Sequence, residues 1–206
     1  MDSERVRAAD AFAAEIHAND VRKGSGVPYI EHPRTVARHV ARHGGTEDEV
    51  VAALLHDTVE DGGGTAVAHD IEARFGATVA QVVLELSDSI VDTTSGEAKE
   101  PWEQRKQRYA DKLVDKSESG VLVKAADLLA NLSDCVEDYR QVGEELWSRF
   151  NVGAGDDLAT RRAKSLANNR RVIEGLKARG FERARALLAE AELVLDRLET
   201  ESAPPE

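Results

Sequence analysis

A histidine and three carboxylates directly follow an apolar segment in the first third of the chain. Residues 50–55 are apolar, His56 and Asp57 come next, and Glu60 and Asp61 follow about one helical turn later. No Lys or Arg occurs in this stretch. Ionised groups beside a segment that is expected to be buried need a partner, and a divalent cation would supply one. Since His56 and Glu60 are four residues apart, a helix would bring their side chains to one side. The segment therefore predicts a site that binds a metal or transfers protons.

Two other segments contain residues that could complete such a site. His32 stands where a loop is expected to enter a helix, next to Pro33, whose fixed φ restrains the junction. Asp127 lies in an apolar helical segment, with Lys124 three residues before it and Asn131 four residues after it, so these three side chains share a face. Each residue also has a structural interpretation. Asp127 could be a buried carboxylate paired with Lys124, and His32 could be a core histidine bonded to a backbone carbonyl.

A group of basic residues lies further along the chain, in and just before a predicted helix that begins near residue 101. It consists of Lys99, Arg105, Lys106, Arg108 and Lys112. These cations could approach a pyrophosphate group. An exposed amphipathic helix face explains them equally well.

Composition sets the class of protein in which this chemistry would take place. The chain has 206 residues, of which 41% are hydrophobic and 32% charged, and its net charge is −12. At roughly 150 residues per domain, this length allows one large domain. The acidic balance argues against nonspecific binding to nucleic acid or to an anionic membrane, and no apolar run approaches the length of about 20 residues that spans a membrane. The N-terminus does not have the pattern of a signal peptide, and the single cysteine, Cys135, excludes an intramolecular disulfide. We therefore expect a cytoplasmic protein with neither nucleic acid nor membrane as a partner.

Helical spacing of apolar residues, interrupted by Gly and Pro, predicts an all-α fold. The third predicted helix begins at Glu47 behind a capping-box sequence and ends before the glycines at 62–64. The other predicted helices cover about 3–19, 33–43, 65–75, 79–87, 101–114, 119 to beyond 134, 146–150, 158–179 and 182–199.

The order of the chemical motifs, which is His, then His-Asp, then Asp, resembles the HD-domain superfamily of metal-dependent phosphohydrolases. More narrowly, the segments 21–33, 54–61 and 124–131 resemble the hydrolase domain of the RelA/SpoT family and the stand-alone small alarmone hydrolases. The resemblance covers about residues 5–135. It implies an HD-domain helical bundle with its core at about 5–135. Together with the predicted helices, this gives a single domain over residues 1–200, with extra C-terminal helices at about 136–200, and we expect a disordered tail at 201–206.

The resemblance also implies a site. It implies one divalent metal, which in this family is usually Mn²⁺. The ligands would be His32, His56, Asp57 and Asp127. Glu60 and Asp61 match the catalytic acidic pair of the family. The substrate-binding residues would be Arg22, Lys23, Lys124 and Asn131.

The implied activity is removal of pyrophosphate from the 3′ position of guanosine tetra- or pentaphosphate. Two positions depart from the family pattern, because Leu128 stands where a Lys is usual and Ser133 where an Arg is usual. Two other functions stay open at this point. The protein could hydrolyse another nucleotide, or it could be a catalytically impaired protein that binds a nucleotide to regulate a partner. The sequence does not indicate an oligomeric state.

Overall fold

The protein is described here by a computed structural model that covers residues 3–22, 26–96, 98–150, 152–153 and 155–204. Over these residues the chain is helical, and its only β-type pairing is an isolated bridge between Val21 and Pro28. The all-α prediction is thus confirmed. The α-helices are α1 (Glu4–Ile16), α2 (Glu31–Arg42), α3 (Glu47–Leu55), α4 (Thr58–Gly62), α5 (Thr65–Phe75), α6 (Ala77–Leu86), α7 (Trp102–Asp111), α8 (Glu118–Val142), α9 (Leu158–Ala178) and α10 (Arg185–Glu201). Short 3₁₀ helices cover Thr93–Ser95, Lys112–Asp115, Gly143–Arg149 and Glu182–Ala184.

Helix α3 lies at the centre of the fold, in contact with α1, α2, α6 and α8. Its residues 50–55 are all buried, as expected for an apolar run that has neighbours on every side. The helix begins with the predicted capping box, in which Thr46 and Glu49 bind each other's backbone amides. The buried Glu49 carboxylate also accepts hydrogen bonds from Arg183, at 2.9 and 2.7 Å. A C-terminal segment is thereby tied to the start of the central helix.

Helices α8 and α10 form the other half of the core. Helix α10 packs along α8, and α9 contacts both of them. Helix α10 includes Glu201, which was predicted to belong to a disordered tail, and the Glu201 carboxylate accepts a hydrogen bond of 2.9 Å from Arg140 of α8. Ser202 is fully buried, and its carbonyl accepts a hydrogen bond from Arg162.

The third predicted helix is divided into two. Helix α3 ends at Leu55 and α4 begins at Thr58, because the Thr58 hydroxyl donates to the Leu55 carbonyl at 2.7 Å and ends the regular pattern. The break falls on His56 and Asp57. Both residues keep right-handed helical backbone angles, and they lie at the junction of the two helices, directly after the buried residues 50–55.

The loop after α6 is held close to the end of α4 by a glycine. Gly64 has φ +61°, and a Cβ atom there would come within 2.3 Å of the Ile90 carbonyl oxygen. A residue with a side chain would push this loop away from α4. Since Glu60 and Asp61 lie on α4, the close approach fixes the distance between these carboxylates and the loop. No helix in the described part of the chain is long and apolar enough to cross a membrane.

Candidate metal and catalytic site

Two histidines and two aspartates from three parts of the chain meet in the core. His32 Nε2 lies 3.1 Å from Asp127 Oδ1 and 3.7 Å from Asp57 Oδ2. His56 Nε2 lies 3.1 Å from Asp57 Oδ2 and 3.6 Å from Asp127 Oδ1. Ligand atoms of His32, His56 and Asp57 all lie within 4.8 Å of one another. The structure thus brings together all four residues that the sequence analysis selected as ligands.

The backbone fixes the tautomer of His56. Its Nδ1 lies 2.8 Å from the Ala53 carbonyl oxygen, which only accepts, so Nδ1 carries the proton. Its Nε2 is buried and makes no hydrogen bond to any residue that the structure describes, although two carboxylates lie close by. A histidine that donates one ring proton to a carbonyl and directs the other nitrogen at carboxylates is arranged as a metal ligand.

The electrostatics of the four residues also suit a cation. Burial opposes the charge on His56, but the neighbouring carboxylates raise its pKa well above the usual value. Burial also opposes the negative charge on Asp57 and Asp127. The charge of His56 nevertheless holds the pKa of Asp57 well below the usual range, and the charge of Lys124 does the same for Asp127. Both carboxylates are therefore ionised at neutral pH. Two imidazole nitrogens with two carboxylate oxygens form a donor set for a borderline divalent transition metal. The residues present fit the metal that the resemblance implies.

Tyr29 is a residue of this site that the sequence analysis did not select. Its hydroxyl donates a hydrogen bond of 2.6 Å to Asp57 Oδ2, the oxygen that faces both imidazoles. The Tyr29 ring packs on the buried His17 ring, with centroids 4.7 Å apart. Tyr29 could have been selected from the sequence because it lies three residues before His32, about one helical turn away.

Lys124 and Asn131 both contact the other carboxylate. Lys124 Nζ donates to Asp127 Oδ2 at 2.7 Å, and Asn131 Nδ2 donates to Asp127 Oδ1 at 2.6 Å. Arg22 in turn donates to Asn131 Oδ1 at 3.1 Å and forms an ion pair of 2.5 Å with Asp134. These three predicted substrate-binding residues thus surround Asp127. The fourth, Lys23, lies outside the described residues.

Glu60 and Asp61 lie on α4, next to the four residues, and share one cation. Lys99 Nζ is 3.1 Å from Glu60 Oε1 and 3.4 Å from Asp61 Oδ1. Burial, together with the charge of Asp88, raises the pKa of Glu60 to about 7. Burial and the charge of Asp57 raise the pKa of Asp61 as well. A carboxylate with a pKa near neutral pH can both accept and release a proton, which general acid–base catalysis requires.

A protein-family profile described as "HD domain" matches residues 9–151. The chain belongs to the HD-domain family. Its similarity to individual members of that family extends over nearly the whole chain. The human guanosine-3′,5′-bis(diphosphate) 3′-pyrophosphohydrolase MESH1 is 38% identical over 183 residues, which cover 86% of this chain and 94% of that protein. The mouse protein of the same name is 36% identical and covers 91% of this chain and 100% of its own length.

Solved structures agree with this HD-domain assignment. A structure described as "A metazoan ortholog of SpoT hydrolyzes ppGpp and plays a role in starvation responses" superposes with a TM-score of 0.70 at 27% identity. The superposition covers 98% of each chain. A Listeria monocytogenes protein, 24% identical with a TM-score of 0.59, has the same fold. The resemblance identified from the sequence is therefore confirmed.

The two departures from the family pattern lie in different environments of this HD-domain protein. Leu128 is 4% exposed and packs in the hydrophobic core, where an ammonium group would need a partner. Ser133 is exposed on α8. Leu128 thus adds an apolar side chain to the core next to Asp127, where the family pattern has a lysine ammonium.

Proposed function

We propose that this protein is a guanosine-3′,5′-bis(diphosphate) 3′-pyrophosphohydrolase that depends on one Mn²⁺ ion. The observation that carries the proposal is the buried cluster of His32, His56, Asp57 and Asp127 beside the carboxylates of α4. The named activity of relatives that match almost the whole chain supports the choice of substrate.

The four clustered residues would hold the metal through two nitrogens and two carboxylate oxygens. The negative charges of Asp57 and Asp127 balance the two positive charges of such an ion, so an anionic substrate is not repelled by the ligands themselves. When bound, a divalent ion supplies polarisation of a phosphoryl group and lowers the pKa of water. Tyr29 and Asn131 orient the two carboxylates from outside the cluster.

The carboxylates of α4 would supply proton transfer. Glu60, with its pKa of about 7, takes a proton from the attacking water, and Lys99 stabilises the carboxylate between turnovers. Asp61 also contacts Lys99 and is more exposed than Glu60, so it can deliver a proton to the departing oxygen.

Substrate recognition would involve Arg22, Lys23, Lys124 and Asn131. The Arg22 guanidinium is a planar group suited to stacking on a purine, and Lys124 provides a point charge for phosphate. Asn131 links Arg22 to Asp127. Binding of the nucleotide would thereby be connected to the position of a metal ligand.

The test is hydrolysis of guanosine 3′,5′-bis(diphosphate) by the purified, Mn²⁺-loaded protein. We expect pyrophosphate and guanosine 5′-diphosphate as products, identified by ion-exchange chromatography and ³¹P NMR. Guanosine triphosphate, adenosine triphosphate and deoxynucleoside monophosphates serve as competing substrates. Asp57→Asn is the matched inactive control, since it keeps the shape of the side chain and removes its charge. Release of orthophosphate, or turnover of the competing nucleotides alone, would contradict the proposal.

A further inference from the structure

Asp88 is a buried carboxylate beside Glu60 whose contacts reach beyond the site to α7. It follows α6, and its side chain is 4% exposed. Both of its oxygens bind cations from α7, Oδ1 the guanidinium of Arg105 and Oδ2 the ammonium of Lys106 at 2.6 Å. Its carbonyl oxygen accepts a further hydrogen bond of 3.2 Å from Arg108. Two cations of α7 thus bind the buried carboxylate, and a third binds the carbonyl of the same residue, which holds this face of α7 against Asp88.

These contacts place α7 against the catalytic carboxylates. The Arg105 nitrogen that binds Asp88 also lies 3.8 Å from Glu60 Oε1. Glu60 thus faces two cations, Lys99 at 3.1 Å and Arg105 at the longer distance. The same guanidinium nitrogen is closer to Asp88 than to Glu60, so Asp88 holds Arg105 at the outer limit of ion-pair distance from Glu60.

The charges in this part of the site balance. Three carboxylates face three cations, and the groups are Glu60, Asp61, Asp88, Lys99, Arg105 and Lys106. The charge of Asp88 opposes ionisation of Glu60, which is one cause of the raised pKa of Glu60, after burial. The other charged or titratable groups that act on Glu60 are Asp57 on the same side of the site and Tyr109 on α7.

We propose that Asp88 is a positioning residue of the active site, which holds Arg105 beside Glu60 without letting it neutralise that carboxylate. This inference rests on the proposed function, in which Glu60 transfers a proton. Asp88 acts on Glu60 both directly, by its charge and a shared hydrogen bond, and through Arg105, and it does not touch the substrate. Without its charge, Arg105 would turn to Glu60, and Glu60 would become a weaker base.

The test is the variant Asp88→Asn, which keeps the size of the side chain. An opposite charge within about 4–6 Å lowers the pKa of a carboxyl group by about 1–3 units. We expect the limb of the kcat–pH profile that reports Glu60 to move to lower pH by about one unit, by that effect. The limb should vanish in Glu60→Gln, and it should also be absent when Asp88→Asn is combined with Glu60→Gln.

A variant of opposite sign keeps the inference falsifiable if Asp88→Asn folds poorly. Arg105→Gln removes the cation and leaves the Asp88 charge, so the same limb should move to higher pH. Glu103→Gln is the matched control. Glu103 is another carboxylate that ties α7 to a cation, at 2.6 Å from Lys164 Nζ, but this ion pair has no contact with Glu60. The control should leave the limb in place.

A second measurement does not depend on the substrate. ¹³C NMR of side-chain carboxyls in the Zn²⁺-loaded protein reports the titration of Glu60 directly, with Glu60→Gln identifying its signal. The direct effect of the Asp88 charge on Glu60 remains when Arg105 is replaced, whereas an effect that works through Arg105 does not. A midpoint that falls further in Asp88→Asn alone than when Asp88→Asn is added to Arg105→Gln supports the inference, even if the protein hydrolyses a different nucleotide. A lower kcat with the midpoint of Glu60 unchanged would reduce Asp88 to a residue that only stabilises the fold, and would overturn the inference.

Discussion

Asn131 donates a hydrogen bond of 2.6 Å to Asp127 Oδ1, the same oxygen that lies 3.1 Å from His32 Nε2. The amide itself is fixed, because its oxygen accepts a hydrogen bond from Arg22. Lys124 holds the other carboxylate oxygen. Besides His32, the orientation of Asp127 is therefore set by residues outside the four-residue cluster, directly by Lys124 and Asn131 on α8 and indirectly by Arg22 in the segment that precedes α2.

This arrangement predicts the effect of Asn131→Ala on metal binding. Loss of such an outer hydrogen bond typically weakens metal affinity by about 10–100-fold. We expect a decrease of this size for Mn²⁺, measured by isothermal titration calorimetry, with an unchanged circular dichroism spectrum. Ser133→Ala is the matched control, since Ser133 lies exposed on the same helix. Equal affinity in the two variants would show that Asn131 does not orient the ligand.

Asp57→Ala should abolish stoichiometric metal binding. Asp57 supplies one of the two negative charges in the cluster, and its Oδ2 is the atom nearest to His56 Nε2 among the two aspartates, at 3.1 Å against 3.6 Å. Without it, the site lacks both a ligand and charge balance. Metal analysis after gel filtration checks this expectation, and full occupancy in the variant would exclude Asp57 as a ligand.

Much of this site could be predicted from the sequence because its residues are anomalies in apolar surroundings. His56, Asp57 and Asp127 are polar residues in segments that helical periodicity places in the core, and the structure brings them together with His32. The helix break at His56 could not be predicted in the same way, since it depends on a Thr58 side chain that binds the preceding turn. Tyr29 and Asp88 were missed because their roles arise from contacts across the fold, with Asp57 and with α7. The limits of the core and of its C-terminal part stay predictions.

Glu60→Gln and Asp61→Asn should each lower kcat while metal remains bound. Proton transfer by a positioned side chain contributes about 10²–10⁴-fold to the rate, so we expect a loss in this range for each variant. Metal content, nucleotide affinity and turnover should be measured on the same preparations. Loss of the metal in these variants would show that the residues are metal ligands. Full turnover would show that they are surface charges with no part in catalysis.

Arg22→Ala should raise KM more than it lowers kcat. This is the signature of an interaction made equally in the ground state and the transition state, as expected for a group that holds the nucleotide. The structure offers a second role, because Arg22 also supports Asn131 at 3.1 Å. Metal affinity separates the two roles. A KM increase at unchanged Mn²⁺ affinity indicates nucleotide binding, whereas weakened Mn²⁺ binding with unchanged KM would assign Arg22 to the support of Asp127.

Lys116 gives a prediction about stability and pH. Burial, at 3% exposure, and the nearby charge of Lys124 lower its pKa to about 7. Between this pH and the unfolded value near 10.5, the unfolded chain binds a proton at Lys116 that the folded protein does not bind. The lysine therefore destabilises the folded state most at low pH, and this effect fades as pH rises through that window.

Lys116→Met should accordingly raise the free energy of unfolding at pH 6.5 more than at pH 9. The difference between variant and wild type should shrink by at most about 1.4 kcal/mol per pH unit, since one pKa unit corresponds to that energy. Urea denaturation at the two pH values measures it. Lys177→Met is the matched control, because the Lys177 ammonium is exposed and its charge is not among those that act on Lys116. A constant difference between Lys116→Met and wild type across the window would show that the Lys116 ammonium keeps its proton in the folded protein, held by the Glu85 carbonyl and the Tyr109 ring that it contacts.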